Sequence, residues 1–252
     1  MKFGLIGYPI GHSLSPALFR AAYADQPFAD AYSLIEKTDF AEAMRIFRED
    51  YDAVNITAPY KELAFAEADE SDTATGQIGA TNLLLKQDGR IRAFNTDFWA
   101  VLQLLRRHMP AIGRPDVLVI GCGGAGKAAA FAASDLRLRT VIANRSLDRA
   151  EAFCNRLGGM EAIPLEEIPK VADRFGFIIH TLPVAIKELE ALRGTDARVI
   201  EANYRDPVLQ GKVKRYIDGK EWLAAQATFG FKLMTGLQPD TDRMNTVINI
   251  II

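Results

Sequence analysis

Val117-Leu118-Val119-Ile120 runs directly into Gly121-Cys122-Gly123-Gly124-Ala125-Gly126 and then into Lys127-Ala128-Ala129-Ala130-Phe131-Ala132-Ala133. The aliphatic run predicts a buried strand, the alanine-rich segment predicts a helix, and the glycines between them match the spacing G-x-G-x-x-G. Such a turn aims the unpaired amides of a helix N-terminus at an anion. A pyrophosphate suits it, because glycines allow close backbone approach and the helix end carries about half a positive charge. The same glycines could make only a packing turn; the flanking strand and helix favour dinucleotide binding.

Downstream, Thr140 to Ala143 predicts the next strand, ending in Asn144-Arg145-Ser146. NAD-binding folds place an acidic residue on the adenosine ribose in this region. Here no carboxylate appears, and Arg145 with Arg149 offers a guanidinium fork for a 2′-phosphate. NADP is therefore expected over NAD, against a plainer reading of two solvated arginines at a helix start.

Strands and helices alternate along most of the chain, the mark of an α/β protein. Upstream, Phe3 to Ile6, Tyr32 to Ile35 and Ala53 to Ile56 predict strands. A helix from Ser15-Pro16 to about Tyr23 has Ser15 as its cap, and another from Thr38 carries Phe40, Met44 and Phe47 on one face. Asp88-Gly89 predicts a hairpin between Asn82 to Lys86 and Arg90 to Phe94. Thr96 is read as the cap of a helix through Leu105. Beyond the glycine turn, Ile178 to Leu182 and Val199 to Ala202 predict strands, and Trp222 to Met234 a helix outside the alternation.

A chain of 252 residues fits one large or two modest domains, and 30 Lys+Arg against 32 Asp+Glu leave a net charge of -2. No field of one sign points to nucleic acid or a membrane surface. The apolar stretch from Val117 is broken by glycines and Lys127, so no membrane span is expected, and no export signal is read at the N-terminus. With 2 cysteines and 3 histidines, Cys122 and Cys154 are expected to pack inertly in a reducing, cytoplasmic setting, and no metal site is expected. His12 is read as a loop-packing residue, and the apolar end Val247 to Ile252 as buried on the first domain or at a subunit contact.

Polar residues gather where predicted strands end, which is where open α/β sheets bind ligands. Gly7-Tyr8-Pro9-Ile10-Gly11-His12-Ser13-Leu14-Ser15-Pro16 brings hydroxyls beside a helix start. Val54-Asn55-Ile56-Thr57-Ala58-Pro59-Tyr60-Lys61 brings an amide, a hydroxyl and an ammonium, and Asn95-Thr96-Asp97 repeats the theme.

These segments resemble the shikimate dehydrogenase family over nearly the whole chain. The resemblance implies an N-terminal three-layer α/β substrate domain, formed by residues 1–100 and 223–252, and a Rossmann-type NADP-binding domain at 101–222. It implies that Lys61 and Asp97 are the catalytic pair and that Ser13 and Ser15 take the substrate carboxylate. Asn55, Thr57, Asn82 and Thr96 would line the hydroxylated ring, with Tyr204 and Gln226 as further substrate contacts. On the cofactor side it implies Gly121, Gly123, Gly124, Ala125, Gly126, Asn144, Arg145, Ser146 and Arg149. The implied reaction is reversible, NADP-dependent interconversion of shikimate and 3-dehydroshikimate by a cytoplasmic monomer or homodimer. A quinate/shikimate dehydrogenase and a non-catalytic dinucleotide-binding paralogue are the alternatives.

The chain departs from the family pattern at Phe98, usually Gly, and at His180-Thr181-Leu182-Pro183-Val184, where an Asn-rich loop is usual. Tyr204-Arg205-Asp206-Pro207 has one residue more before Pro, and Glu201 replaces Asp. Chemically, either Lys61 takes the hydroxyl proton as a base, or it stays an ammonium that stabilises the alkoxide while Asp97 orients it and passes the proton on. Both remain open at the level of sequence.

Overall fold

The computed structural model describes residues 1–251. In chain order its elements are β1 (Phe3–Gly7), α1 (Ser15–Ala22), β2 (Tyr32–Glu36), α2 (Phe40–Asp50), β3 (Ala53–Ile56), α3 (Lys61–Ala66), β4 (Glu70–Ser71), α4 (Thr73–Ile78), β5 (Leu83–Gln87), β6 (Arg90–Phe94) and α5 (Thr96–Arg107). They continue with β7 (Val117–Ile120), α6 (Gly124–Asp135), β8 (Thr140–Ala143), α7 (Leu147–Leu157), β9 (Met160–Ile163), α8 (Ile168–Val171), β10 (Phe177–His180), β11 (Arg198–Glu201), β12 (Arg215–Ile217), α9 (Gly219–Thr235) and α10 (Thr241–Ile251). The chain divides into compact units, Met1–Thr96 with Ala224–Ile252, and Asp97–Leu223. The divisions fall inside helices α5 and α9, the same helices that hold the expected boundaries near 100 and 223.

The first unit is a mixed sheet of order β2-β1-β3-β5-β6-β4. β1 pairs in parallel with β2 and β3, and β5 runs antiparallel to β3 and β6. Alternation along β1 sends Ile6 to one face, where Ala43, Met44 and Phe47 of α2 cover it with Val54, Ile56 and Leu84. Phe3 faces the other way. Phe19 of α1 lies against it at 5.2 Å between ring centroids and against Phe231 of α9 at 5.1 Å. Helices on both faces make the three layers. The β5–β6 hairpin turns through Asp88 and Gly89, both at positive φ (53° and 75°), as a tight two-residue turn requires.

The second unit is an all-parallel sheet of order β12-β11-β10-β7-β8-β9. The strand order reverses at β7, whose C-terminal end is the crevice where doubly wound sheets take dinucleotides. Buried Ala128, Ala129, Ala132 and Ala133 form the packed side of α6, and their small side chains let that helix lie close to its neighbours. The other sheet face holds Leu118, Ile120, Val141, Ile178 and Val199 against Leu165, Ile168, Leu189 and Leu209.

Several local expectations are corrected. Ser15 is the first helical residue of α1, not its cap; the cap position is Leu14 with no side-chain bond, and Ser15 Oγ instead accepts from Ser13 Oγ at 3.1 Å. α2 starts at Phe40 rather than at Thr38, with Asp39 capping it by accepting from the Ala41 amide at 2.9 Å. Thr96 likewise starts α5 as a helical residue rather than capping it, its own amide donating to Asn82 Oδ1 at 2.6 Å. His12 is exposed rather than packed. At the chain end Met244 and Ile248 share the buried stripe of α10, and Ile250 and Ile251 point outward, exposed; Ile252 lies outside the described residues.

Candidate active site

In the first unit the polar residues form one ribbon, most of it hydrogen-bonded. Ser13 Oγ donates to Ser15 Oγ at 3.1 Å, and Ser15 lies beside the Tyr32 hydroxyl, acting on its titration. Tyr32 donates to Asn55 Oδ1 at 2.8 Å, and Asn55 Nδ2 donates to the Asn82 carbonyl at 3.1 Å. Asn82 Nδ2 then donates to Thr96 Oγ1 at 2.9 Å, which lies 3.4 Å from Gln226 Oε1. Asn55, Asn82 and Thr96 are buried, so each bond replaces hydration that the interior denies, and donors that follow one another in one direction reinforce each other.

The topology explains how distant residues meet here. Asn55 lies near the end of β3, Asn82 precedes β5 and Thr96 follows β6, and the pairing β3–β5–β6 brings these ends side by side. The Ile56 amide donates to the Asn82 carbonyl and the Asn82 amide to the Phe94 carbonyl. Thr57 occupies the turn between β3 and α3, and Lys61 is the first residue of α3, its carbonyl accepting from the Thr81 amide at 2.9 Å. The loops after β1 and β3 are tied by the Tyr8 amide donating to the Ala58 carbonyl at 3.2 Å. Tyr32 was not singled out in the sequence because it reads as an ordinary strand residue. Burial pushes its phenol well above the ordinary tyrosine value, against the opposing effect of Ser15, so at neutral pH it serves as a neutral donor.

In the second unit each glycine of the turn answers a separate demand. Gly121 has φ +108°, a conformation that side chains resist. A Cβ at Gly126 would lie 2.1 Å from the Gly121 carbonyl oxygen, so only glycine lets α6 start so close to the end of β7. At Gly123, the residue before α6, a Cβ would meet nothing within 4 Å; this flank is open. Beside it lies a cleft of about 350 Å³ lined by Cys122, Gly123, Asn144, Arg145, Ser146, Arg149, Leu165 and the segment Leu182 to Val184. Asn144 braces this wall, accepting from the Cys122 amide at 3.2 Å and donating to the Ser146 carbonyl at 2.9 Å. Arg145 and Arg149 are exposed. An open glycine turn at the start of a twelve-residue helix, with guanidinium groups on the adjoining wall, fits a phosphorylated dinucleotide.

Asp97 follows Thr96 in the first turn of α5, buried, and its Oδ1 accepts from Trp222 Nε1 at 2.9 Å. The departure at Phe98 is a packing feature: its ring packs at a tilt against Phe131 of α6, 5.4 Å between centroids, and edge-to-face with Trp99 at 5.1 Å. Tyr204 is half-buried in the segment after β11, and burial pushes its phenol up, with Arg205 opposing. That segment is anchored by Glu201, fully buried, which accepts from the Val208 amide at 2.7 Å, the Leu209 amide at 3.1 Å and the Tyr216 hydroxyl at 3.0 Å. Burial alone would raise this carboxyl; the neighbouring His180 and the bonds from both amides and Tyr216 outweigh it and hold Glu201 below the ordinary glutamate value. His180 is also fully buried, its Nδ1 3.5 Å from Glu201 Oε1. Among the described residues, no group of metal-binding side chains and no helix long and apolar enough to cross a membrane is found.

Residues 5–84 match the family described as the shikimate dehydrogenase substrate binding domain, and residues 103–186 match shikimate / quinate 5-dehydrogenase. A relative from Halothermothrix orenii, named shikimate dehydrogenase (NADP(+)), is 32% identical, with 94% of this chain and 91% of the relative aligned. The chain belongs to the shikimate dehydrogenase family. A solved family structure, shikimate 5-dehydrogenase from Thermus thermophilus in complex with NADP(H) and shikimate, superposes with a TM-score of 0.83 over 100% of both chains at 28% identity. The fold is shared further by a quinate dehydrogenase from Corynebacterium glutamicum in complex with NAD, with a TM-score of 0.84 over 100% of this chain and 99% of that one at 23% identity.

Proposed function

We propose that this chain is an NADP-dependent shikimate dehydrogenase, reversibly interconverting shikimate and 3-dehydroshikimate. The observation that carries the reading is the ribbon from Ser13 to Gln226, a surface of hydroxyls and amides suited to a small polyhydroxylated carboxylate. It occurs in a chain that also has the open glycine turn and the arginine-lined cleft.

In this reading Ser13 and Ser15 hold the substrate carboxylate, and Asn55, Thr57, Asn82, Thr96, Tyr204 and Gln226 orient the ring hydroxyls. The turn Gly121 to Gly126, with Ala125, receives the pyrophosphate; Arg145 and Arg149 pair with the 2′-phosphate, and Asn144 and Ser146 brace the wall between them. NADP, when bound, supplies the nicotinamide that exchanges a hydride with the substrate carbon. Lys61 and Asp97 handle the proton of the reacting hydroxyl. As the C–H electron pair leaves, the O–H bond must break and its proton pass to this pair; in reduction the same pair returns it. A lysine ammonium also stabilises negative charge developing on that oxygen, and Asp97 keeps the lysine oriented.

The test crosses shikimate and quinate with NADP and NAD, following nicotinamide absorbance. The reading expects the highest kcat/KM for shikimate with NADP. Preference for quinate would move the substrate assignment, and NADP binding with no turnover of either ring alcohol would overturn the enzyme assignment.

A further inference from the structure

Trp222 stands among the first residues of α9, 125 positions after Asp97. Both side chains are buried, at 4% and 6% exposure, and the indole N–H meets Asp97 Oδ1 at 2.9 Å. We propose that Trp222 is a positioning residue for the reaction, holding the Asp97 carboxylate in its working orientation. This rests on the reading of Asp97 as half of the proton-transfer pair.

The chemistry of the donor supports the role. A carboxylate in a helix's first turn is drawn toward the unpaired amides of its own helix. A charge-assisted bond from outside the helix competes with that pull and selects one rotamer. Indole has a single N–H, accepts nothing and does not titrate in water. It therefore fixes one carboxylate oxygen without entering the proton traffic that Lys61 and Asp97 carry, which a lysine, histidine or tyrosine at the same place would join.

The surroundings are built to hold this turn still. The start of α5 is set by the Thr96 amide on Asn82 Oδ1 at 2.6 Å, and the side chain after Asp97, Phe98, packs at a tilt against Phe131 of α6. Backbone, neighbouring ring and carboxylate are thus each restrained by a different element. The large residues at 98 and 222 both bear on the same aspartate, one along the chain and one through its hydrogen bond.

The experiment uses the full chain with shikimate and NADP. Trp222→Phe keeps an aromatic ring and removes the donor; kcat is expected to fall about tenfold, a loss of about 1.4 kcal/mol in barrier terms, with KM for shikimate within about twofold. In an Asp97→Ala background the same substitution should cost nothing further, because the orienting bond is already gone. A merely structural role would reduce kcat equally in both backgrounds and would overturn the proposal, as would a Trp222→Phe enzyme with wild-type kcat.

A second measurement does not depend on that variant folding. With isotope-labelled tryptophan, and Trp99→Phe to assign the signals, the Trp222 indole N–H resonance should move on Asp97→Asn; an unmoved resonance refutes the contact. Failure of the underlying reading looks different, since it would appear as an Asp97→Ala enzyme that retains full turnover.

Discussion

Two alanine substitutions in the turn after β7 should fail in different ways. A Cβ at position 126 would sit 2.1 Å from the Gly121 carbonyl oxygen, 2.7 Å from its carbon and 3.0 Å from Thr181 Oγ1. Ordinary carbon–oxygen contacts begin at about 3.3 Å, so the start of α6 would have to retreat by roughly 1 Å from rigid backbone. Overpacking of this kind costs about 3 kcal/mol, the upper end of the usual range. At about 2–4 °C per kcal/mol for a protein of this size, Gly126→Ala should lower Tm by about 6–12 °C. Gly123→Ala meets no atom within 4 Å and keeps a negative φ of -83°. Its cost is that of an alanine at a helix N-cap, about 1 kcal/mol. Its methyl group would instead occupy the space the pyrophosphate needs, so the Kd for NADP should rise at least about tenfold, or about 1.4 kcal/mol. Thermal melts by circular dichroism and NADP titrations by calorimetry separate the two effects. A Gly126→Ala protein melting with the wild type would refute the packing argument, and a Gly123→Ala protein binding NADP normally would refute the cradle.

Three further outcomes follow from the same geometry. Arg145→Ala should weaken NADP at least about tenfold while leaving NAD nearly unchanged, since a charge-assisted phosphate contact is worth about 1.5–3 kcal/mol; equal loss for both cofactors would count against the fork. Lys61→Ala should lower kcat at least about a hundredfold in steady-state assays with a modest change in KM, and full activity would sink the catalytic assignment. Glu201 contributes stability through a carboxyl held below its unfolded value of 4.5. That contribution is complete above the unfolded value and is lost as pH falls through the lower folded one. Glu201→Gln should therefore melt below the wild type at pH 7, with the gap narrowing in acid; a gap independent of pH would refute the ionised anchor.

The glycine turn and the strand before it were legible in the sequence because their demands are local. A G-x-G-x-x-G turn works through backbone shape within six residues, and four aliphatic residues in a row, as at Val117–Ile120, have few destinations but a buried strand. The helix starts were less legible. Ser15 and Thr96 look like caps because hydroxyls suit that position, yet Ser13 engages Ser15 and Asn82 reaches Thr96 from another loop; Thr38 looks like a helix start, yet the helix begins after Asp39, whose carboxylate caps it. A cap is a competition among donors and acceptors, and only the fold brings in the competitors from outside the segment.

By itself, then, the order of residues determined the alternation of strands and helices, the glycine turn, the want of a carboxylate in Asn144-Arg145-Ser146 at the end of β8 and the clustering of polar groups at strand ends. All of these are read over a few residues. Tertiary structure decided that Tyr32 meets Asn55 across 23 positions, that Trp222 meets Asp97 across 125, and that Glu201 anchors the segment carrying Tyr204. No periodicity encodes such pairs, because a hydrogen bond depends on where two chains lie to within a few tenths of an ångström, and that placement comes from packing of the whole sheet and its helices.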